Sequence, residues 1–504
     1  TGIVGRNGVG KSVLARIPAG LLPPPSGVRR CAGRVHYLAQ QVTLSADQSV
    51  AGLAGVADTL AALRRIESGS VAADDFDMVG DDWDLPQRLQ QALEREQVGY
   101  LTPDVPANAL SGGEAMRVSL LGATLSNADF LILDEPSNHL DRDSRRALIE
   151  QLRCWQRGLI VVSHDRRLLE SMARIVELSP AGLANYGGNY SFYAAEKEHE
   201  RQSALEHLHA CKAERQRQRR AAQAQLERVD RRQARGGRQG KQANQAKILL
   251  DRQKERSEAS SGALRRKQAA SDEQLTRRVH DAARQVEAQA QVVLHAQPVD
   301  QPTRRRVAEL ADVQLPWVSG PAARINLLVR GQQRMGVVGP NGVGKSTALR
   351  VLAGQLEPLA GTCWVTPEMA YLDQSLRTLD PERSVWDQLR SVNRTAAEGE
   401  LRTRLAQLGL DGQRLAIASC LLGGGERVKA ALACLLYADV PPRLLLLDEP
   451  GNHLDLPSLQ AVEEMLRSYR GAMLVVSHDD AFLHSLGLTD WLRATEDGWC
   501  SRPA

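Results

Sequence analysis

Gly5-Arg6-Asn7-Gly8-Val9-Gly10-Lys11-Ser12 and Gly339-Pro340-Asn341-Gly342-Val343-Gly344-Lys345-Ser346 are one glycine-rich octapeptide written twice. Each copy fits G-x-x-x-x-G-K-[ST]. Each follows a short apolar stretch (residues 2–4 and 335–338) and runs into helix-compatible residues, the strand–loop–helix context the pattern requires. The chemistry it suits is phosphate recognition: glycines let successive N–H groups curl inward, and a helix N-terminus adds positive potential. Lys11 and Lys345 are expected at the β- and γ-phosphates of a nucleotide, and Ser12 and Ser346 as Mg2+ ligands.

Working outward, the repetition extends along the whole chain. His36-Tyr37-Leu38-Ala39-Gln40 recurs as Ala370-Tyr371-Leu372-Asp373-Gln374. Leu131-Ile132-Leu133-Asp134-Glu135-Pro136 recurs as Leu445-Leu446-Leu447-Asp448-Glu449-Pro450, and Val162-Ser163-His164-Asp165 as Val476-Ser477-His478-Asp479. The order is the same in both halves, which identifies a duplicated domain. The offset is 334 residues up to the glutamine and 314 from the acidic strand onward. The first copy therefore carries 20 extra residues, placed near 50–100, where 53–66 and 86–97 read as helical. They are either a plain insertion or a small helical arm. Residues 130–133 and 444–447 are continuous apolar runs, as buried parallel strands are. Asp134 and Asp448 close them as candidate Mg2+ ligands, and Glu135 and Glu449 stand one residue further on, where a carboxylate can polarise water.

The chain of 504 residues is 42% apolar and 25% charged, room for roughly two to four domains, and it excludes a collagen-like or wholly disordered protein. Apolar runs are strand-length, far short of the roughly 18 residues that cross a bilayer, and the opening does not read as a charged-then-apolar leader. Seven scattered cysteines without C-x-x-C spacing suit a reducing cytosol and are expected as small buried residues. Because the chain opens on Thr1 with a strand already running into a glycine loop, an N-terminally incomplete first domain is expected.

Residues 191–295 differ in composition. Between 196 and 290 there is no Phe, Trp, Tyr or Pro, and Ala, Gln, Arg and Glu dominate. Two long helices, 192–235 and 242–292, are expected, folded about Gly236-Gly237 and Gly240 into an antiparallel hairpin. Some 40 residues at 1.5 Å each would extend about 60 Å. Leu205, Leu208, Leu226, Leu275 and Val279 are candidates for a thin apolar seam. Between Lys212 and Lys267 lie 18 Lys and Arg against 6 Asp and Glu, a local +12, so the rest of a chain that is +4 overall carries −8. A basic hairpin tip on an acidic body is the electrostatic footprint of a phosphate-backbone contact, with Arg231, Arg232, Arg235, Arg238 and Lys241 as candidates. Without aromatic residues it cannot stack bases.

Leu110-Ser111-Gly112-Gly113-Glu114, set between a glycine loop and a Ser-His-Asp, resembles the signature of ATP-binding-cassette ATPases. Gln40 and Gln374 are similar to the family's Q-loop glutamines, His164 and His478 to its switch histidines, and Asp141 and Asp455 to its D-loop. Glu-Pro-x-Asn-His-Leu-Asp appears twice, at 135–141 and 449–455, in one chain without membrane spans. In these features the whole chain resembles the ABC-F subfamily. The resemblance implies an α/β fold of two P-loop NTPase cassettes in tandem (1–190 and 296–504) joined by the basic helical hairpin 191–295. Two ATP with Mg2+ would sit between head-to-tail cassettes, within one monomer. It assigns catalysis to Glu135, Glu449, His164 and His478. ATP binding would fall to Gly5, Asn7, Gly8, Gly10, Lys11, Ser12, Gln40, Ser111, Gly112 and Gly113 with Trp317. In the second half it would fall to Gly339, Asn341, Gly342, Gly344, Lys345, Ser346, Thr347, Gln374, Gly423, Gly424 and Gly425. It also implies a cytoplasmic factor whose linker contacts tRNA and ribosomal RNA on the ribosome, in translation or in antibiotic protection.

Three departures qualify the resemblance. The second signature reads Leu422-Gly423-Gly424-Gly425-Glu426, so Gly423 stands where the signature serine does, one hydroxyl short, and slower turnover is expected of the site containing Lys11 and Glu135. Ser137 and Gly451 replace the family's threonine after Glu-Pro. Only the second cassette has, at 307–334, two strands and Trp317, a residue readable as an adenine platform or as core, ahead of its loop. A DNA-structure-binding ATPase of the same subfamily is the alternative, since phosphate contacts do not separate RNA from DNA; a transporter motor fits less well, because the cassettes are fused.

Overall fold

Parallel strands buried on both faces need unbroken apolar runs, and the runs of this chain build two such sheets. The structure, a computed structural model, describes residues 1–39, 48–138, 140–242, 262, 266–283, 285, 305–452, 454–495 and 497–504. The first sheet holds β1 (Gly2–Gly5), β2 (Val35–Leu38), β3 (Phe130–Asp134), β4 (Gly158–Val162), β5 (Ile175–Ser179) and β6 (Gly182–Tyr186), in the order β2-β3-β4-β1-β5-β6. All neighbours are parallel except β5 and β6. The carboxyl ends of β1, β3 and β4 thus emerge along one edge, where α/β sheets place their ligands.

The second half repeats this order. Its strands are β7 (Arg306–Gln314), β8 (Arg324–Arg330), β9 (Arg334–Val338), β10 (Ala360–Val365), β11 (Met369–Leu372), β12 (Leu444–Asp448), β13 (Ala472–Val476), β14 (Asp490–Thr495) and β15 (Gly498–Pro503). The main sheet runs β11-β12-β13-β9-β14-β15, and β12 and β13 are buried at every position. A three-stranded antiparallel sheet, β10-β7-β8, packs over the helix Lys345–Leu352 and β9 through Val307, Leu310, Leu327, Leu349 and Met335. The two strands expected ahead of the second loop are β7 and β8. Among the described residues of the first half this sheet has no counterpart.

Residues 50–100 form no separate protrusion. The helices Val50–Leu53, Ala57–Glu67, Ala73–Val79 and Leu85–Arg95 share a core with the signature helix Gly112–Leu125 through Leu60, Leu63, Leu89, Leu93, Val118 and Leu121. The second half has the same subdomain with three helices, Val385–Val392, Glu398–Gln407 and Gly412–Ala416. Ala73–Val79 thus accounts for part of the extra 20 residues. The expectation of buried cysteines needs correcting too: Cys31, Cys154 and Cys420 are exposed, and Cys211 is buried.

The chain separates into two compact units, Thr1–Tyr193 with Gln291–Ala504, and Ala194–Ala290. The second unit contains an antiparallel helix pair. Leu208 and Cys211 of the helix Tyr190–Gln242 pack on Val279 and Ala282, and Arg219 holds Asp272 through two bonds of 2.6 and 2.7 Å. Leu275 is buried as well. The expected turn at Gly236-Gly237 and Gly240 is absent, for the helix continues through all three to Gln242. An interior glycine costs a helix only about 1 kcal/mol relative to alanine, and the flanking residues are strong helix formers.

One side chain anchors the strand that delivers the second loop. Arg334 opens β9, and its guanidinium donates to the carbonyls of Tyr469 (2.7 Å), Leu466 (2.8 Å) and Leu486 (2.7 Å). Two of these are orphan acceptors near the end of the helix Leu456–Ser468. Truncation in Arg334→Ala is expected to cost about 3 kcal/mol, read as a lower Tm in a thermal scan. Arg334→Lys, which cannot reach three carbonyls at once, is expected to recover only part of the loss.

Candidate nucleotide-binding sites

Each glycine loop takes its shape from backbone that only glycine adopts cheaply. Gly8 and Gly10 have φ of +79° and +103°, and Gly342 and Gly344 of +78° and +101°. The helices Lys11–Ala19 and Lys345–Leu352 start at the loops' lysines. Lys11 Nζ donates to the carbonyls of Gly5 (2.9 Å) and Arg6 (3.1 Å) and to Asn7 Oδ1 (3.3 Å). Lys345 Nζ donates to those of Gly339 (2.8 Å) and Pro340 (2.7 Å). Burial holds both lysines below the ordinary value, opposed by Glu135 at Lys11 and by Glu449 at Lys345.

The expected catalytic pairs come together in both halves. Glu135 and Glu449 follow β3 and β12 with φ of +50° and +52°, a left-handed backbone that costs a glutamate about 1 kcal/mol or more and that recurs at functional sites. Each glutamate N–H donates to the end of the next strand, Glu135 to Val162 O at 2.8 Å and Glu449 to Val476 O at 3.0 Å. His164 and His478 present their backbone N–H to Oε2 of Glu135 and Glu449 at 3.4 Å, and their Nε2 lies 3.4 Å from the same residues' Oε1. Burial pushes both carboxyls up to about 8, against the pull of Lys11 on Glu135. Burial, reinforced by the nearby lysine, lowers His164 to about 3 and His478 to about 4. The imidazoles are therefore neutral beside carboxyls that titrate near neutrality.

The halves meet head to tail. Asp455 caps the helix Leu456–Ser468 by accepting Ser458 N–H at 2.9 Å, and its Oδ2 also accepts the N–H of Asn7 in the opposite loop at 2.8 Å. In the other direction, Asp141 caps the helix Arg142–Arg153, and its Oδ2 accepts the N–H of Asn341 at 3.4 Å. The D-loop aspartates thus reach each other's glycine loops. Gly8, Gly10, Lys11, Ser12, Asp134, Glu135 and His164 line a cavity of about 550 Å³ together with Gly424, Gly451 and Asn452 of the second half. A second cavity, of about 290 Å³, is lined by Gly342, Gly344, Lys345, Ser346, Thr347, Gln374, Glu449 and His478. Ser111, Gly112 and Gly113 are not among its described lining residues, whereas the cavity at the first glycine loop includes Gly424 of the opposite signature.

The two signatures differ as their sequences do. Ser111 Oγ accepts Glu114 N–H at 3.3 Å while Glu114 Oε2 accepts Ser111 N–H at 2.6 Å, a reciprocal capping box. At the second signature only the return bond remains, Gly423 N–H to Glu426 Oε2 at 3.0 Å. Gly113 and Gly425 both lie close to their own D-loop helix, at Ser144 and Ser458. Trp317 is 81% exposed, which removes the core reading, and its neighbour Val318 packs at Gly344 of the second loop. Gln40 lies outside the described residues, as do the side chains of Arg232, Arg235, Arg238 and Lys241. Arg231 is exposed and lies 3.9 Å from Glu227.

Sequence spacing did not reveal what ties the halves together beside the loops. Arg166 reaches Glu463 through two bonds of 2.7 and 3.1 Å, and Arg142 and Arg167 both bind Asp480. Arg166 and Asp480 occupy equivalent positions, two residues after the switch histidines. No periodicity could have paired them, since each bond spans about 300 residues.

Two nucleotide-loop domains paired loop to D-loop define a tandem ATP-binding cassette. The family model described as ABC transporter matches residues 1–138 and 322–452. The energy-dependent translational throttle protein EttA of Mycobacterium tuberculosis is 32% identical over 96% of this chain and 84% of its own length. The tylosin resistance ATP-binding protein TlrC of Streptomyces fradiae is 31% identical over 95% and 89%, and the ribosome protection protein VmlR of Bacillus subtilis 27% identical over 96% and 79%. Among solved structures, an RNase-L inhibitor shares the fold, with a TM-score of 0.57 at 20% identity over 100% of this chain and 85% of its own. The chain belongs to the ABC-F family of ABC-type ATPases. No described helix is long and apolar enough to cross a membrane.

Breaking a nearly buried ion pair leaves one charge without its partner, which costs about 3–5 kcal/mol. Arg166→Ala and Glu463→Ala are each expected to lower Tm, and their double mutant to lose less than the sum. Additive losses in a double-mutant cycle would show that the two side chains do not act as a pair.

Proposed function

We propose that the chain is a cytoplasmic, monomeric translation factor built as cassette 1–190, helical linker 191–295 and cassette 296–504, which closes on two ATP and acts on the ribosome through its linker. The observation that carries the closed, head-to-tail reading is the reach of Asp455 to Asn7 N–H beside a cavity shared by Lys11, Glu135 and Gly424. In this reading the glycine loops and their lysines hold the phosphates, and Gln374 flanks the second site. Trp317 stacks on the adenine of the second nucleotide. Ser111, Gly112 and Gly113 complete the site of the second loop on closure, and Gly423, Gly424 and Gly425 that of the first.

The residues present suit a hard cation. Asp134 Oδ1 is buried without a hydrogen-bond partner among the described residues, and Ser346 Oγ meets Asp448 Oδ1 at 3.0 Å. Ser12 with Asp134, and Ser346 with Asp448, would hold Mg2+, which when bound offsets negative charge on the phosphates. Glu135 and Glu449 orient the attacking water and accept its proton, their carboxyls tuned toward neutrality by burial. His164 and His478 remain neutral, and their backbone N–H groups hold the glutamates through Oε2.

Ribosome action is supported by the family, by relatives named for translation and ribosome protection, and by the linker's +12 segment. That charge suits the phosphate backbone of ribosomal RNA or tRNA, with Arg231, Arg232, Arg235, Arg238 and Lys241 as the contacts. Glu135→Gln with Glu449→Gln is expected to abolish ATPase activity and to retain the protein on ribosomes when ATP is present. Retention should fall steeply with salt, and less steeply once the four arginines are neutralised. Copurification with DNA instead would move the reading to a branched-duplex substrate.

The two sites are not equal. Gly423 offers no hydroxyl to the γ-phosphate bound at Lys11, an interaction worth about 1–3 kcal/mol. Gly423→Ser is expected to raise steady-state ATPase severalfold; an unchanged rate would show that the first site does not limit turnover.

A further inference from the structure

The repeated strand His36-Tyr37-Leu38 and Ala370-Tyr371-Leu372 carries a side chain to which the family resemblance assigned no role. Tyr37 Oη donates to Asp134 Oδ2 at 3.2 Å, and Tyr371 Oη donates to Asp448 Oδ2 at 3.3 Å. Both bonds reach across the edge pair of the sheet, β2 to β3 and β11 to β12. From the other side Arg16 Nε lies 3.5 Å from Tyr37 Oη, on the helix that begins at Lys11. Arg350, at the equivalent place on the helix that begins at Lys345, lies close enough to act electrostatically on Tyr371 and Asp448. The chain therefore holds the same tyrosine–aspartate bond twice, once per cassette, with an arginine nearby in each.

The geometry points to Tyr37 and Tyr371 as positioning residues that fix the metal-holding carboxylates through one oxygen. A carboxylate on a two-bond side chain rotates freely about its last bond; a hydrogen bond to Oδ2 stops that rotation. Oδ1 is left for another partner, and at Asp448 it accepts Ser346 Oγ at 3.0 Å. At Asp134 the same oxygen is the buried one without a partner. The guanidinium that faces each hydroxyl polarises it and makes it a better donor. Partners of this kind set the orientation and affinity of metal-binding carboxylates. Tyr371 is fully packed in the core of the second cassette, and Tyr37 is half-buried. The ring's packing and the hydroxyl's role are therefore separable.

This inference rests on the assignment of Asp134 and Asp448 to Mg2+, and the test keeps the two apart. Tyr37→Phe and Tyr371→Phe retain the ring and remove the hydroxyl. In the Glu135→Gln, Glu449→Gln background, binding of trinitrophenyl-ATP is measured by fluorescence while Mg2+ is titrated, and again in excess EDTA. The Mg2+ concentration at half-saturation is expected to rise about tenfold in the double Phe variant. Nucleotide binding in EDTA and the thermal midpoint should stay as in the parent. An unchanged Mg2+ requirement overturns the inference, as does an equal loss of binding in EDTA, which would make the tyrosines merely structural. If the parent itself binds nucleotide without any response to Mg2+, the metal assignment fails instead.

Discussion

Asp455 is the residue on which the arrangement of the cassettes turns. One of its oxygens caps its own helix at Ser458, and the other receives the N–H of Asn7 from a loop 448 residues away in the chain. Burial works against its charge, but the bonds from Ser458 and Asn7 outweigh it and hold the carboxyl below the ordinary aspartate value. A charged acceptor shared by two domains is satisfied only when both are in place. The same carboxylate therefore caps the start of a helix, receives the opposite glycine loop and registers one half of the molecule on the other. Asp141 repeats the device toward Asn341 with a longer bond.

The symmetry that follows is incomplete. The main sheets share one strand order and the glutamates one strained backbone, yet the accessories differ. Among the described residues the second half carries the three-stranded sheet and Trp317, and the first carries the helix Ala73–Val79 and the serine-bearing signature. Both halves keep the same edge, where glycine loop, aspartate, glutamate and histidine come together.

Much of this was legible in the sequence, for local reasons. The loops, the strands 130–134 and 444–448 and the switch histidines follow from glycine conformations and from the apolar runs that parallel sheets demand. Less was legible where the signal is weak or distant. The helix Ala73–Val79 hides in an acidic stretch, ADDFDMV, without clear apolar periodicity. The turn expected at Gly236-Gly237 and Gly240 misjudged a small penalty as a stop. The pairings of Arg166 with Glu463 and of Tyr37 with Asp134 carry no spacing rule at all; each exists because the fold brings distant strands and helices side by side.

The charges two residues beyond the switch histidines have a further consequence. Arg166 faces Glu463, whereas its counterpart Asp480 faces Arg142. The positions equivalent to Glu463 and Arg142 are Ile149 and Leu456, so neither half presents to itself the surface it meets in the other. Two copies of the second half would set Asp480 against a helix bearing Glu463 and no arginine in the place of Arg142. Two copies of the first would leave Arg166 beside an isoleucine. What arose as a repeat has become a lock and its key, and each half now fits its sibling better than its twin.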